Sequence, residues 1–335
     1  MDNLDSLLVV IITYNQEQFI SQTIDSVLRQ KLEIPFKVII VDDCSTDKTS
    51  DICTEYQSKN PKIITYIRRN PNLGLVKNLF YALRDYNNYN HIALCAGDDF
   101  WIDENKLQLQ YNVLRDNKDI SVVFTGVRKQ YEKTKLHEDI AVWSSPLLYN
   151  QGNSSIKDVL FEKFSSFPVA SSMLFRNYGI KEFLKSIESI YKSEGVPGEG
   201  MILLSHLASH GKFYFLPNIT TVYRINEQSV SHTSLISKKL NFDIRYYVHK
   251  IELSDFFNLK YIYRFKLSLK LYFLYVYAFQ DGYSNEFISQ LNRLSIKNSS
   301  IFVKVPIKVI LYTSNHYFLQ YLISRLLSLK NKYFK

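Results

Sequence analysis

Cysteine is scarce in this 335-residue chain. Cys44, Cys53 and Cys95 are too few for a disulfide framework and match no zinc spacing, which points to a reducing, cytoplasmic setting. Long hydrophobic runs are missing too. The longest apolar stretch of the C-terminal third, Leu271 to Phe279, falls far short of the ~20 residues a spanning helix needs. The acidic start, Met1-Asp2-Asn3-Leu4-Asp5, runs straight into an apolar segment, so no signal peptide is expected. Glycine-rich phosphate loops are also absent. Neither GxGxxG nor GxxxxGK followed by Ser or Thr succeeds the first apolar run, which excludes the dinucleotide and P-loop ways of cradling phosphate.

What is present is the composition of a folded chain, 46% hydrophobic and 22% charged, long enough for one large α/β domain and a smaller appendage. The formal net charge is +9. Its excess gathers in the C-terminal third, where Lys238, Lys239, Arg245, Lys250, Lys260, Arg264, Lys266 and Lys270 alternate with Tyr and Phe. Basic plus aromatic suits nucleic acid, and it equally suits a surface facing anionic lipid.

The first hundred residues alternate strand and helix. Leu7 to Thr13 is a continuous β-branched and aliphatic run, the mark of a strand buried on both faces. Ile20, Ile24, Val27 and Leu28 follow at helical spacing. Phe36 to Val41 is a second strand, and Ser45 or Thr46 is expected to cap a helix running toward Tyr56. Ile63 to Ile67, Leu75 to Tyr86 and His91 to Ala96 complete a β-α-β-α-β-α-β order, which implies a parallel sheet covered on both faces. Beyond Asp99, strands are expected at Ile120 to Thr125, Val169 to Arg176, Phe213 to Leu216 and Thr220 to Arg224, and a helix at Met201 to Ser209. From about Ser234 the pattern is helical, basic and aromatic.

Polar residues collect where these strands end: Thr13-Tyr14-Asn15, then Asp42-Asp43-Cys44-Ser45-Thr46-Asp47, then Asn70-Pro71-Asn72-Leu73-Gly74, then Gly97-Asp98-Asp99. Each alone is an ordinary turn or helix cap, and Asp98-Asp99 alone would serve to cap a helix near Asp103. Together they line one edge of a parallel sheet, where α/β proteins bind ligands. Adjacent Asp98 and Asp99 repel each other, and a hard cation such as Mg²⁺ or Mn²⁺ carrying phosphate oxygens would neutralise them.

On these ordered landmarks, with Asn78 and with Phe100-Trp101 after the acidic pair, the chain resembles the inverting family-2 glycosyltransferases of GT-A fold. The resemblance covers residues 5 to about 231 and is strongest through 115. Its Gly-Asp-Asp-aromatic-Trp form is similar to enzymes of bacterial capsule, lipopolysaccharide and related surface polysaccharides. It implies an α/β fold with a mostly parallel central sheet in residues 1–233, a nucleotide-binding half at 5–115 and an acceptor half at 116–233. A basic, aromatic helical region would follow at 234–335. It implies a cytoplasmic, metal-dependent transferase moving a sugar from a nucleotide-diphosphate donor, a UDP-sugar first among the candidates. The acceptor would be a glycan or lipid-linked acceptor at the inner face of the membrane. No nucleic-acid partner is expected. A processive membrane-embedded synthase is not expected either, since Gln-x-x-Arg-Trp is absent and the two tryptophans are Trp101 and Trp143.

Residue by residue, the resemblance implies that Thr13, Tyr14 and Asn15 line the nucleotide site, with Tyr14 beside the base. Asp43 would bond the base, with Asp42 as its neighbour and substitute. Asp98 would meet ribose or a metal-bound water, and Asp99 would ligate Mn²⁺ or Mg²⁺. Lys77 and Lys106 stand where basic residues serve the nucleotide, and each reads equally well as a solvated helix charge. Arg224 suits the diphosphate by its fork of donors. Glu199 falls at the general-base segment, Pro197 to Leu204, where Gly200 replaces the usual aspartate. It is either the base or a carboxylate complementing a helix dipole. Asn226 replaces a common histidine, and His232 lies nearby. The rival reading is a non-catalytic nucleotide- or glycan-binding protein on the same fold.

Overall fold

The computed structural model describes residues 5–140, 147–149, 153–160, 169–191, 198–225 and 236–260, with isolated positions from 262 to 289. Trp143, Pro197, Asn226, His232 and Arg264, all considered above, lie outside the described residues.

Strand β1 (Leu7–Thr13) sits between β2 (Phe36–Asp42) and β4 (His91–Ala96), parallel to both, with Leu7 level with Phe36 and His91. β3 (Ile64–Arg68) extends the parallel run beyond β2. This position explains the unbroken apolar character of β1, because both of its faces are covered. Ile20, Ile24 and Val27 of α1 (Ile20–Leu28) share a core with Leu7, Val9 and Ile11, and α2 (Thr49–Lys59) and α3 (Leu75–Asp85) complete the alternation. Each such fully buried aliphatic side chain stabilises the fold by about 1.5–3 kcal/mol.

The second half is less regular than expected. β5 (Phe100–Trp101) and α4 (Lys106–Asp116) come first, followed by β6 (Ile120–Tyr131), β7 (His137–Ile140), β8 (Leu147–Tyr149) and α5 (Asn153–Leu160). β9 (Met173–Arg176), α6 (Ile180–Ser186), α7 (Glu188–Tyr191), α8 (Glu199–His210), β10 (Lys212–Ile225) and α9 (Ile236–Phe256) follow. The sheet order is β3-β2-β1-β4-β9-β6-β10-β5, with β7 on β6 and β8 on β10. β9 runs antiparallel to β4 and β6, so the sheet is parallel in its first half and mixed in its second.

Three expectations are corrected. The segment from Val169 is not strand throughout: Ala170–Ser172 forms a 3₁₀ turn before β9. The two strands read between Phe213 and Arg224 are one strand, β10, whose register shifts on either side of Ile219. Pro217 has no amide to offer the ladder, and a bulge carries the strand past it. Helix α2 starts at Thr49 rather than at a Ser45 or Thr46 cap. Asp42 takes the amide and hydroxyl of Ser45, and Asn15 takes the amide of Thr46.

The chain divides into two compact units, Met1–Glu188 with Glu199–Glu227, and Ser189–Gly198 with Gln228–Lys335. The sheet belongs to the first. In the second, Ile244, Val248 and Ile251 form a buried stripe on α9. Lys250, counted above with the basic surface, is buried, its ammonium 4.3 Å from the Tyr246 ring centre; Lys260, Lys266 and Lys270 are exposed. No helix of the described residues is long and apolar enough to cross a membrane.

Candidate active site

The C-terminal ends of β1, β2 and β4 are tied together by direct bonds. Asp43 N donates to Thr13 O at 2.9 Å, and Gly97 N donates to Ile12 O at 2.8 Å. Asn15 N donates to the Ser45 hydroxyl at 2.9 Å, while its own Oδ1 receives Thr46 N at 2.8 Å. Asn15 adopts φ 52°, a left-handed conformation that asparagine tolerates better than most residues. A Cβ on Gly97 would lie 2.8 Å from the Thr13 side chain, so only glycine lets β4 approach β1 here.

Thr13 is buried and donates to Gln16 Oε1 at 2.8 Å, whereas Tyr14 is 47% exposed at the mouth of this edge. Lys77 is half-buried in the first turn of α3.

Asp42 and Asp43 differ from the base-binding pair expected of them. Both are buried. Asp42 Oδ1 receives Ser45 N at 2.9 Å and its Oδ2 receives the Tyr66 hydroxyl at 2.8 Å. Asp43 Oδ1 receives Leu73 N and its Oδ2 receives Gly74 N, each at 2.8 Å. These carboxylates clamp neighbouring loops through the bonds they accept. Of the nucleotide-site residues read near the base, Tyr14 is the one with an open face.

Asp98 and Asp99 are adjacent but differ in exposure: Asp98 is half-buried and Asp99 is buried. Asp99 Oδ2 receives the Ser171 hydroxyl at 2.5 Å, and Oδ1 receives the Arg224 amide at 3.1 Å. Burial first, and then the charge of Asp98, push the Asp99 carboxyl well above the usual carboxylate range; Ser171 and Arg224 oppose that rise. A buried carboxylate beside a second one, with only oxygen donors, is the setting a hard divalent cation relieves. Among the described residues no third His, Cys, Asp or Glu joins them, so ligand oxygens would complete any coordination sphere.

Arg224 departs from the diphosphate role expected of it. Its guanidinium donates to Asp98 O at 2.5 Å and to Gln22 Oε1, and its Nε lies 3.1 Å from Glu132 Oε1. It rests 4.4 Å and 5.0 Å from the ring centres of Phe100 and Phe19. Caged in this way and 4% exposed, it braces the acidic turn from below instead of presenting its fork to a ligand.

Lys106 is not the solvated helix charge it could have been. It is fully buried, donates to Gln110 Oε1 at 2.8 Å and sits 4.2 Å from the Trp101 ring centre. Because α4 begins at Lys106, this first-turn residue packs inward with Leu107. Burial lowers its ammonium to about 7. Glu199 is the first residue of α8, followed by Gly200.

Ser171, Gln22 and Glu132 were not foreseen. The only local signal was the polar pair Ser171-Ser172 interrupting an apolar run, and partners 72 residues apart leave no periodicity. A separate polar cavity of about 420 Å³, lined in part by Asn87, Asn90, Arg176 and Tyr178, opens where β1 and β4 begin, at the opposite edge from the carboxylates.

Comparison with known proteins gives a consistent set of likenesses. The model of the family described as "Glycosyl transferase family 2" matches residues 8–179, just over half of the chain. An uncharacterised protein of Mycobacterium tuberculosis is 29% identical over 240 residues, which are 71% of this chain and 64% of that protein. The chain therefore spans less than two thirds of that relative's length. The dTDP-rhamnosyl transferase RfbG of Shigella flexneri is 36% identical over 92 residues, 27% of this chain and 32% of that protein. Among solved structures, residues 1–349 of Staphylococcus aureus TarS in complex with UDP superpose with a TM-score of 0.56 at 15% identity, covering 98% of this chain and 93% of that one. The same TarS segment in complex with UDP-GlcNAc gives 0.53 at 17% identity, covering 87% and 82%. The likeness to TarS shows the fold, GT-A, that the motif order had implied.

Proposed function

The chain belongs to glycosyl transferase family 2, and from that membership we propose that it transfers a sugar from a nucleotide-diphosphate donor to a glycan or lipid-linked acceptor, with inversion, in bacterial surface-polysaccharide biosynthesis. The observation that carries this reading is the interlocked edge of β1, β2 and β4, where exposed Tyr14 and half-buried Asp98 border buried Asp99. Tyr14 is the platform for the base, with Thr13 and Asn15 fixing its loop. Lys77, at the N-terminal turn of α3, is suited to an anionic donor. The UDP and UDP-GlcNAc complexes of TarS support a UDP-sugar as first candidate.

Mn²⁺ or Mg²⁺ held by Asp99 and Asp98 would neutralise charge developing on the leaving diphosphate. The chain's own residues do the rest. Ser171 and the Arg224 amide hold the Asp99 carboxylate in one orientation, and the Arg224 guanidinium fixes the Asp98 carbonyl. A single displacement also needs a carboxylate to take the acceptor proton, and Glu199 at the start of α8 is our assignment. A helix N-terminus favours its ionised, proton-accepting form. Exposed Lys260, Lys266 and Lys270 support attachment to an anionic membrane surface, where a lipid-linked acceptor would lie.

Thermal unfolding with UDP, GDP and dTDP, each with and without Mn²⁺, tests the donor site in wild type and Asp99→Asn. A Mn²⁺-dependent rise in Tm that Asp99→Asn loses supports the reading; no rise with any diphosphate overturns it. Gly200, in place of the usual aspartate, favours one second reading, a nucleotide-binding protein without transfer. It predicts the same Tm rise with neither donor hydrolysis nor sugar transfer.

A further inference from the structure

Lys106 is the largest unexplained investment in the first unit. Its side chain has no solvent exposure, and an ammonium taken out of water loses its hydration. No carboxylate pairs with it among the bonds that hold it. Its Nζ instead donates to Gln110 Oε1 at 2.8 Å and lies 4.2 Å from the Trp101 ring centre. Both partners lead to one place. Gln110 Nε2 donates to Ser172 O at 2.9 Å and to Val123 O at 2.6 Å, while Trp101 Nε1 donates to Ser171 O at 2.9 Å. The turn containing Ser171 and Ser172 is thus held at two consecutive carbonyls by two side chains that Lys106 joins. From that turn, the Ser171 hydroxyl receives Ala96 N at 3.0 Å and donates to Asp99 Oδ2 at 2.5 Å.

We propose that Lys106 is a positioning residue for donor binding: through Gln110 and Trp101 it sets the Ser171 turn, and through Ser171 it fixes the Asp99 carboxylate. The proposal rests on the reading of Asp99 as the group that meets the cation and diphosphate. An apolar side chain would pack in the same space at lower cost, but it would neither donate to Gln110 nor draw the Trp101 ring. Both restraints on the turn would then slacken, and with them the Ser171 hydroxyl that bonds Asp99. Residues in such supporting positions change metal affinity by roughly 10–100-fold when removed.

The test measures affinity for UDP, GDP and dTDP with and without Mn²⁺, together with Tm, in wild type, Lys106→Met, Lys106→Gln, Ser171→Ala and Asp99→Asn. Lys106→Met is expected to keep a Tm at or above wild type and to keep metal-free nucleotide affinity. It should lose roughly tenfold or more of the affinity that Mn²⁺ adds. Lys106→Gln, which keeps a donor for Gln110, should recover part of that loss. Ser171→Ala should match Lys106→Met, and the double variant should be no worse than the weaker single, as for two links of one chain. Wild-type Mn²⁺ dependence in Lys106→Met, alongside its loss in Asp99→Asn, would overturn the proposal and leave the donor site standing. A uniform fall in Tm and in metal-free affinity would mark Lys106 as packing alone and would also overturn it. Retention of the Mn²⁺ effect in Asp99→Asn would instead bring down the donor-site reading, and the positioning role with it.

Discussion

The Asp43 carboxylate receives the amide of Gly74 at 2.8 Å, joining the end of β2 to the residue that opens α3. Gly74 meets it with φ 82° and ψ 153°, a region that glycine alone adopts freely. Nothing lies within 4 Å of where a Cβ would stand, so the cost of Gly74→Ala is conformational and not steric. It should be about 1–3 kcal/mol, read from urea denaturation. A variant as stable as wild type would show that the loop has another conformation of equal energy.

Stability should depend on pH through Lys106. Its ammonium titrates at about 7 in the folded protein against 10.5 for an ordinary lysine. Between those values the unfolded chain holds a proton that the folded one has released, so stability rises with pH across that window. Below about 7 both states are charged and the burial penalty is full. The slope attributable to Lys106 is at most about 1.4 kcal/mol per pH unit. Denaturation of wild type and Lys106→Met across pH 6 to 10, roughly the window set by those pKa values, should give curves that converge as pH rises. Parallel curves would show that Lys106 keeps its proton throughout.

What could be read in advance follows from how local the signal is. Leu7 to Thr13 announced itself because a strand flanked by parallel neighbours is apolar on both faces. The edge on which Tyr14, Asp43 and Asp99 fall followed from strand order alone. What the carboxylates do there did not. Asp42 is answered by Tyr66, 24 residues away, and Asp43 by Gly74, 31 residues away. A sequence displays acceptors without displaying who donates to them, so the loop bonds of Asp42 and Asp43 were not legible in it. Lys106 was not legible as a buried residue for a similar reason: it shares the buried face of α4 with Gln110, and both are polar residue types that a sequence assigns to solvent.

Arg224 should matter for stability more than for phosphate binding. Its guanidinium bonds Asp98 O, Gln22 and Glu132 between two phenylalanine rings. Arg224→Ala leaves Asp98 O and Gln22 Oε1 without that donor while Glu132 keeps Lys135 and Gln130, so the loss should be about 1–3 kcal/mol. Arg224→Lys should recover little, since one ammonium cannot span three acceptors. Urea denaturation reads the loss. Unchanged stability with a raised KM for donor would restore the diphosphate role.

Glu199→Gln separates catalysis from binding. At the first position of α8 the substitution keeps size and removes the group able to accept a proton. If Glu199 takes the acceptor's proton, kcat should fall by roughly 10²–10⁴. The KM for donor and the Mn²⁺-dependent rise in Tm should stay near wild type, because the proposed donor site lies at the ends of β1, β2 and β4. If Glu199 only complements the helix dipole, glutamine should cost a few tenths of a kcal/mol, about 0.3–1, and leave kcat unchanged. A fall in kcat accompanied by loss of the Tm response would mean that Glu199 touches the donor. A kcat equal to wild type would move the search for the base to another carboxylate, with Gly200 explaining why it is not found at its usual position.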